Sequence, residues 1–138
     1  DIDLALSQSN DNPVYYIQYA HARVCSVKRR LEEQGVPVSL DADSVSLDAL
    51  GETQEVELLK QLARFPEIVS RAASNAEPQQ VANYLRELAA EFHAYYNAHK
   101  VAVDDDTVRA ARLALSEGVR QVLANGLDLL GVSAPEVM

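Results

Sequence analysis

An all-α bundle of about five helices is the fold this sequence predicts, and three features predict it. Apolar residues recur at three- and four-residue steps along several segments, no segment sustains the alternation of a half-buried strand, and helix-starting Asn, Asp and Pro and helix-stopping Gly bracket the periodic runs. At 138 residues the chain fits one domain, enough to bury roughly two-thirds of its unfolded surface in a single core.

Asp1 to Asn10 alternates like a strand end or an irregular linker. Residues 1–11 are read as a lead-in joined to something larger, and residues 12–138 as the helical domain. Asn12 suits an N-cap and Pro13 the first helical position. From there Ile17, Ala20, Val24, Val27 and Leu31 keep helical spacing until Gly35, Val36 and Pro37 stop the run. Pro37 to Gly51 is acidic and rich in Asp and Ser, so a loop with one helical turn is expected. Glu52 to Arg64 forms the next helix, with Val56, Leu59, Leu62 and Ala63 on its apolar side. A short helix starts at Pro66 and ends near Asn75. Glu77 and Pro78 open a long one, striped by Val81, Tyr84, Leu85, Leu88, Phe92 and Tyr95. After a break over His99 to Asp105, Val108, Ala111, Leu115, Val119, Val122, Gly126 and Leu129 mark the last helix. Gly131 ends it, and Pro135 keeps the tail from continuing.

Composition removes several classes of function. No apolar run approaches the ~20 residues that span a bilayer, and no signal segment opens the chain. The single cysteine, Cys25, gives neither a disulfide framework nor a zinc cluster and reads as a packing residue. A cytoplasmic setting is the expectation. His21, His93 and His99 lack metal-ligand spacing, the five glycines stand singly, and no serine sits in a nucleophile-elbow context. No catalytic, cofactor-binding or metal-ligating residue is assigned.

The net charge of -9 argues against a globally basic nucleic-acid binder. The distribution says more than the sum. Asp41, Asp43, Asp48, Glu52, Glu55 and Glu57 crowd one segment and read as a solvated loop and helix start, whereas Tyr15 to Arg30 holds Arg23, Lys28, Arg29 and Arg30 without an acidic residue. On a helical wheel Tyr16 and Arg23 flank the apolar sector, and Tyr19, Ser26 and Arg30 continue around the same side. Rings interleaved with guanidinium groups suit unpaired RNA, since rings stack on splayed bases and Arg meets phosphates. The same pattern equally describes tyrosines packed between helices beside solvated arginines. Tyr95 and Tyr96 form a second aromatic pair, one facing inward, with Asn97, His99 and Lys100 at the helix exit. In the last helix Arg109, Arg112 and Arg120 are open to either reading, salt-bridged or phosphate-holding. Gly118 and Gly126 there point to close helix packing.

The string Asn12-Pro13-Val14-Tyr15-Tyr16-Ile17-Gln18-Tyr19-Ala20-His21-Ala22-Arg23 resembles a signature of arginyl-tRNA synthetases. The far end, from Arg112 through Val119-Arg120-Gln121-Val122-Leu123-Ala124-Asn125-Gly126-Leu127 to Ala134-Pro135-Glu136-Val137-Met138, is similar to the same family, as is Phe92-His93-x-Tyr95-Tyr96-Asn97. Asp106-Thr107-Val108-Arg109 stands where the family's helical domain carries Asp-Ala-Leu-Arg, with both middle residues changed. The resemblance implies a helical domain that holds the anticodon stem-loop of tRNA(Arg). It also implies that ATP and arginine are used by a separate catalytic domain whose signatures are absent here, so this chain alone is expected to be non-catalytic. The implied partners are that stem-loop and the catalytic domain, not DNA or a membrane. Tyr16 is implied as an anticodon-loop contact with Gln18, Tyr19, His21 and Arg23 nearby, His99 as a stacking ring and Met138 as an apolar contact to a base. With Arg30, Tyr96 and Arg109 from the stripe, the aromatic pair and the last helix, these are the expected RNA-binding residues. A helical module binding protein through the same face, and a small enzyme built on the acidic segment, are the competing readings.

Overall fold

Caps and stops divide the chain into six helices and one 3-10 turn in a computed structural model, which describes residues 1–138. They are α1 (Ile2–Leu6), α2 (Pro13–Glu33), the 3-10 turn Leu47–Ala49, α3 (Thr53–Ala63), α4 (Phe65–Asn75), α5 (Gln79–Ala98) and α6 (Asp106–Leu129). The fold is all-α, as the periodicity predicts. Asn12 starts α2 by accepting from the Val14 N–H at 3.1 Å. Gly35 (φ 68°) and Gly131 (φ 71°) end α2 and α6 in the left-handed region, where the Val36 and Val132 N–H groups each bond back to a carbonyl five residues earlier at 2.9 Å.

Helices α2, α5 and α6 pack on one another, α3 lies across α5 and α6, and α4 lies along α5. One core runs through them from Ile17, Ala20 and Val24 to Leu85, Leu88 and Phe92 and on to Leu115, Val119 and Leu123. A smaller cluster of Val27, Leu31, Val101 and Leu113 seals the end where α5 turns into α6. There α2 presents its C-terminal half beside the last turn of α5, and the C-terminal segment runs back over α2. The candidate site is built at that meeting.

Three expectations need correction. The lead-in is not extended: Asp1 caps a short helix by accepting from the Asp3 N–H at 3.0 Å, and Ile2 and Leu6 are exposed. The buried side of α3 is carried by Glu55, Leu58 and Gln61, while Val56 and Ala63 face outward. Leu129 is exposed, and Leu123 and Leu127 take the core positions at that end of α6. Glu55 explains part of the α3 result, since its carboxylate accepts from Tyr95 and Arg112 inside, whereas at Gln61 only the oxygens are bonded and Nε2 has no partner. The Tyr84 hydroxyl, pushed up to about 12 by burial, stays protonated and donates to the Gln61 carbonyl at 2.6 Å.

Candidate nucleic-acid interface

Tyr16, Tyr19 and Arg23 lie at i, i+3 and i+7 of α2 and therefore share a face. Against that face α5 sets His93, Tyr96 and Asn97. Arg23 sits between two rings, its guanidinium carbon 4.8 Å from the Tyr19 centroid and 4.4 Å from that of Tyr96. Its Nη1 donates to His93 Nδ1 at 3.1 Å and more weakly to Asn97 Oδ1 at 3.4 Å. With Nδ1 accepting, the His93 proton resides on Nε2 and is donated to the Tyr16 carbonyl at 3.2 Å. Burial, opposed by that bond and reinforced by the Arg23 charge, holds the His93 pKa below its usual value. His93 is thus a neutral pedestal, with the Tyr16 ring tilted on it at 4.6 Å and the Tyr19 ring stacked at 5.5 Å.

Arg30, two turns beyond Arg23, is exposed and donates from Nη2 to the Tyr96 hydroxyl at 3.1 Å. His99 stacks on Tyr95 at 5.3 Å, and its Nε2–H donates to Gln54 Oε1 at 2.8 Å. Three hollows follow one another along this surface. Tyr16, Tyr19, Arg23 and Asn97 line the first, and Tyr19, Arg23, Arg29, Arg30, Tyr96 and Met138 the second. The third is formed by Val27, Arg30, Tyr96, His99, Lys100 and Val101. Each shares walls with the next, so the structure brings Tyr16, Tyr19, Arg23, Arg30, Tyr96, His99 and Met138 onto one continuous track.

The remaining expected site residues lie elsewhere or work differently. Gln18 donates to the Ser133 carbonyl at 2.8 Å. His21 is 2% exposed, beneath the tail, with Nδ1 donating to the Pro135 carbonyl at 2.9 Å. Arg109 is off the track altogether. Its guanidinium donates to the Val103 carbonyl at 2.9 Å and pairs with Asp106, fastening the loop before α6. Arg112 pairs with Glu55 and Arg120 with Glu117, so all three arginines of α6 are salt-bridged. The α6 arginines are thus in the salt-bridged arrangement, whereas Arg23, Arg29 and Arg30 of α2 form no ion pair.

Arg29, Asn97, His93 and Lys100 also line these hollows, although the expected RNA-binding set did not include them. Arg29 stood out only as part of a basic run and Lys100 only as a residue at a helix exit, and no sequence signal says that neither forms an ion pair. The structure does. Of the chain's twelve Lys and Arg residues, Arg23, Arg29, Arg30, Arg64, Arg86 and Lys100 form no ion pair, and four of these line the track. Unpaired guanidinium groups beside half-exposed rings are equipped to take phosphate and stack bases. No three His, Cys, Asp or Glu side chains converge as a metal site would require.

Residues 17–138 match the family described as the DALR anticodon binding domain. Over all 138 residues the chain is 59% identical to the arginine–tRNA ligase of Thioalkalivibrio sulfidiphilus and 56% identical to that of Halorhodospira halophila. It spans 24% of the length of each, about a quarter of these curated relatives. Among solved structures, the Thermus thermophilus arginyl-tRNA synthetase superposes on 99% of the chain with a TM-score of 0.77 at 37% identity, over 23% of its own length. A Campylobacter jejuni protein, provisionally described as an arginyl-tRNA synthetase, superposes on the whole chain with a TM-score of 0.85 at 30% identity, over 29% of its own length.

Proposed function

This chain belongs to the DALR anticodon-binding domain family, and from that premise we propose that it holds the anticodon stem-loop of tRNA(Arg) for an arginine–tRNA ligase. ATP and arginine would be used by a catalytic domain outside these 138 residues, in the cytoplasm. The observation that carries the reading is the track itself: four unpaired cations and the rings of Tyr16, Tyr19, Tyr96 and His99 on one face of a chain whose net charge is -9.

The mechanism is one of positioning. Arg23 is fixed between rings, so its charge is presented without the loss of side-chain freedom that a mobile arginine would suffer on binding. Arg29, Arg30 and Lys100 neutralise phosphates along the loop, while splayed bases stack on Tyr16, Tyr19 and His99 and meet the Met138 side chain. Holding the anticodon arm places the acceptor end at the catalytic domain and adds specificity for the tRNA. Gripping the RNA by a local track explains why an acidic domain is suited to the task.

An NMR titration of the labelled chain tests this, using the stem-loop and the same loop altered at its middle anticodon base. Shifts are expected at Tyr16, Tyr19, Arg23, Arg30, Tyr96, His99 and Met138 and not at Arg109. With that base removed to leave an abasic position, the loop should bind about 5- to 150-fold more weakly, since one stacked base contributes ~1–3 kcal/mol. Absence of shifts at low salt would overturn the reading, and the track would then be a protein-docking surface.

A further inference from the structure

Beyond Val132 the backbone makes no hydrogen bond to another backbone group. Ser133–Met138 is nevertheless laid along α2, and its hydrogen bonds to the rest of the chain come from three side chains of that helix. Gln18 donates to the Ser133 carbonyl at 2.8 Å, His21 to the Pro135 carbonyl at 2.9 Å and Arg29 to the Glu136 carbonyl at 3.3 Å. Pro135 has no N–H, so a helix or strand ladder could not hold this segment in their place. The His21 tautomer is fixed from behind. Arg120, gripped by Glu117 at 2.6 and 2.9 Å, turns Nη1 toward His21 Nε2 at 3.4 Å, which leaves the imidazole proton on Nδ1, facing the Pro135 carbonyl.

We infer that Gln18 and His21 are positioning residues that act on the RNA through the C-terminal segment, holding Ser133–Met138 along α2 so that Met138 forms a wall of the central hollow. Buried beneath the tail, His21 has no face to offer a base. An unlatched tail of six residues would fray and would have to be ordered at the moment of binding, which weakens affinity. The RNA half of this inference rests on the function proposed above; the latch itself does not.

The test uses the 138-residue chain with His21→Ala, Gln18→Ala and His21→Asn, each with and without Val137 and Met138. Those two residues are 71% and 44% exposed, and their removal leaves the core intact. Without RNA, the alanine variants should lower the heteronuclear NOEs of the Ala134 and Glu136–Met138 amides, whereas Asn, whose amide replaces the Nδ1 donor, keeps them high. With the stem-loop, each alanine variant should bind about three- to tenfold more weakly, the range of one hydrogen bond. That loss should vanish in the shortened chain, because both changes remove the same wall. Rigid tail residues in both alanine variants, or a loss that adds in full to that of the truncation, would overturn the inference. If the stem-loop binds none of the proteins the proposed function fails, and the NOEs alone then decide whether the latch exists.

Discussion

Glu55 is 1% exposed, and three donors surround its carboxylate: the Tyr95 hydroxyl at 2.6 Å, Arg112 Nε at 3.0 Å and the Glu52 N–H at 3.0 Å. Burial alone would raise its pKa, but these donors outweigh burial and hold the carboxyl below its usual value. Arg112 also donates to the Lys100 carbonyl at 2.8 Å, so the same group that neutralises Glu55 fastens the turn carrying His99 and Lys100. Arg112→Ala leaves a buried carboxylate without its cation, and urea denaturation should show a loss of about 3–5 kcal/mol. Acid should act in the same direction. Because the folded pKa lies below the unfolded one, near ~4.3, the stabilisation from Glu55 is complete above about pH 5.5 and is lost as pH falls through the folded value. Glu55→Gln should therefore destabilise the chain at pH 7 and shrink the difference between its stabilities at pH 7 and pH 4. An unchanged difference would assign the acid sensitivity to other carboxylates. In the sequence Glu55 reads as one more solvated acid, because its partners stand 40 and 57 residues away and the helical period cannot reveal them.

Helix boundaries were largely legible from the sequence. Asn12-Pro13, Gly35 and Gly131 carry local backbone chemistry, and the observed starts and stops follow them. Faces were less legible, since α3 buries two polar residues and its apolar period finds Leu59 and Leu62, which pack on the core, but also Val56 and Ala63, which do not. The two glycines inside α6 show how far a local signal reaches. Both suggest close packing, and both are close, but to different degrees. A Cβ on Gly126 would meet the Leu85 side chain at 2.5, 2.8 and 3.0 Å, and Leu85 is fully buried. A Cβ on Gly118 would meet only Leu62 Cδ1 at 3.2 Å, the far end of a half-buried side chain that has to give by no more than a few tenths of an ångström. Alanine in a helix interior gains about 0.8–1.0 kcal/mol over glycine, while overpacking a tight core costs about 1–3 kcal/mol. Gly118→Ala should thus leave the thermal midpoint unchanged or raised, and Gly126→Ala should lower it by several degrees. A reversed order would mean that α5 and α6 separate more easily than their packing indicates.

The whole molecule sets its electrostatics against its proposed partner, since a chain of net charge -9 repels RNA at long range. Attraction begins inside a Debye length, about 8 Å at physiological salt, where the track rather than the sum is felt. Here too the sequence was half informative. It located the basic run of α2, but not that Arg109, Arg112 and Arg120 are consumed by ion pairs while Lys100 is left free. Four free cations, each releasing a counterion from the phosphate it meets, give log Kobs against log salt a slope of about -3. Removing Arg30 and Lys100 together by Arg30→Gln and Lys100→Gln should flatten that slope by about 1.5. Both side chains are exposed and outside the core, so the fold should be unaffected. The matched control is Lys60→Gln with Arg71→Gln, two cations already paired on the surfaces of α3 and α4, which should leave the slope unchanged. If the control pair flattens the slope as much as the track pair, the binding is diffuse counterion attraction, and the face built by α2, α5 and the tail has no special claim on the RNA.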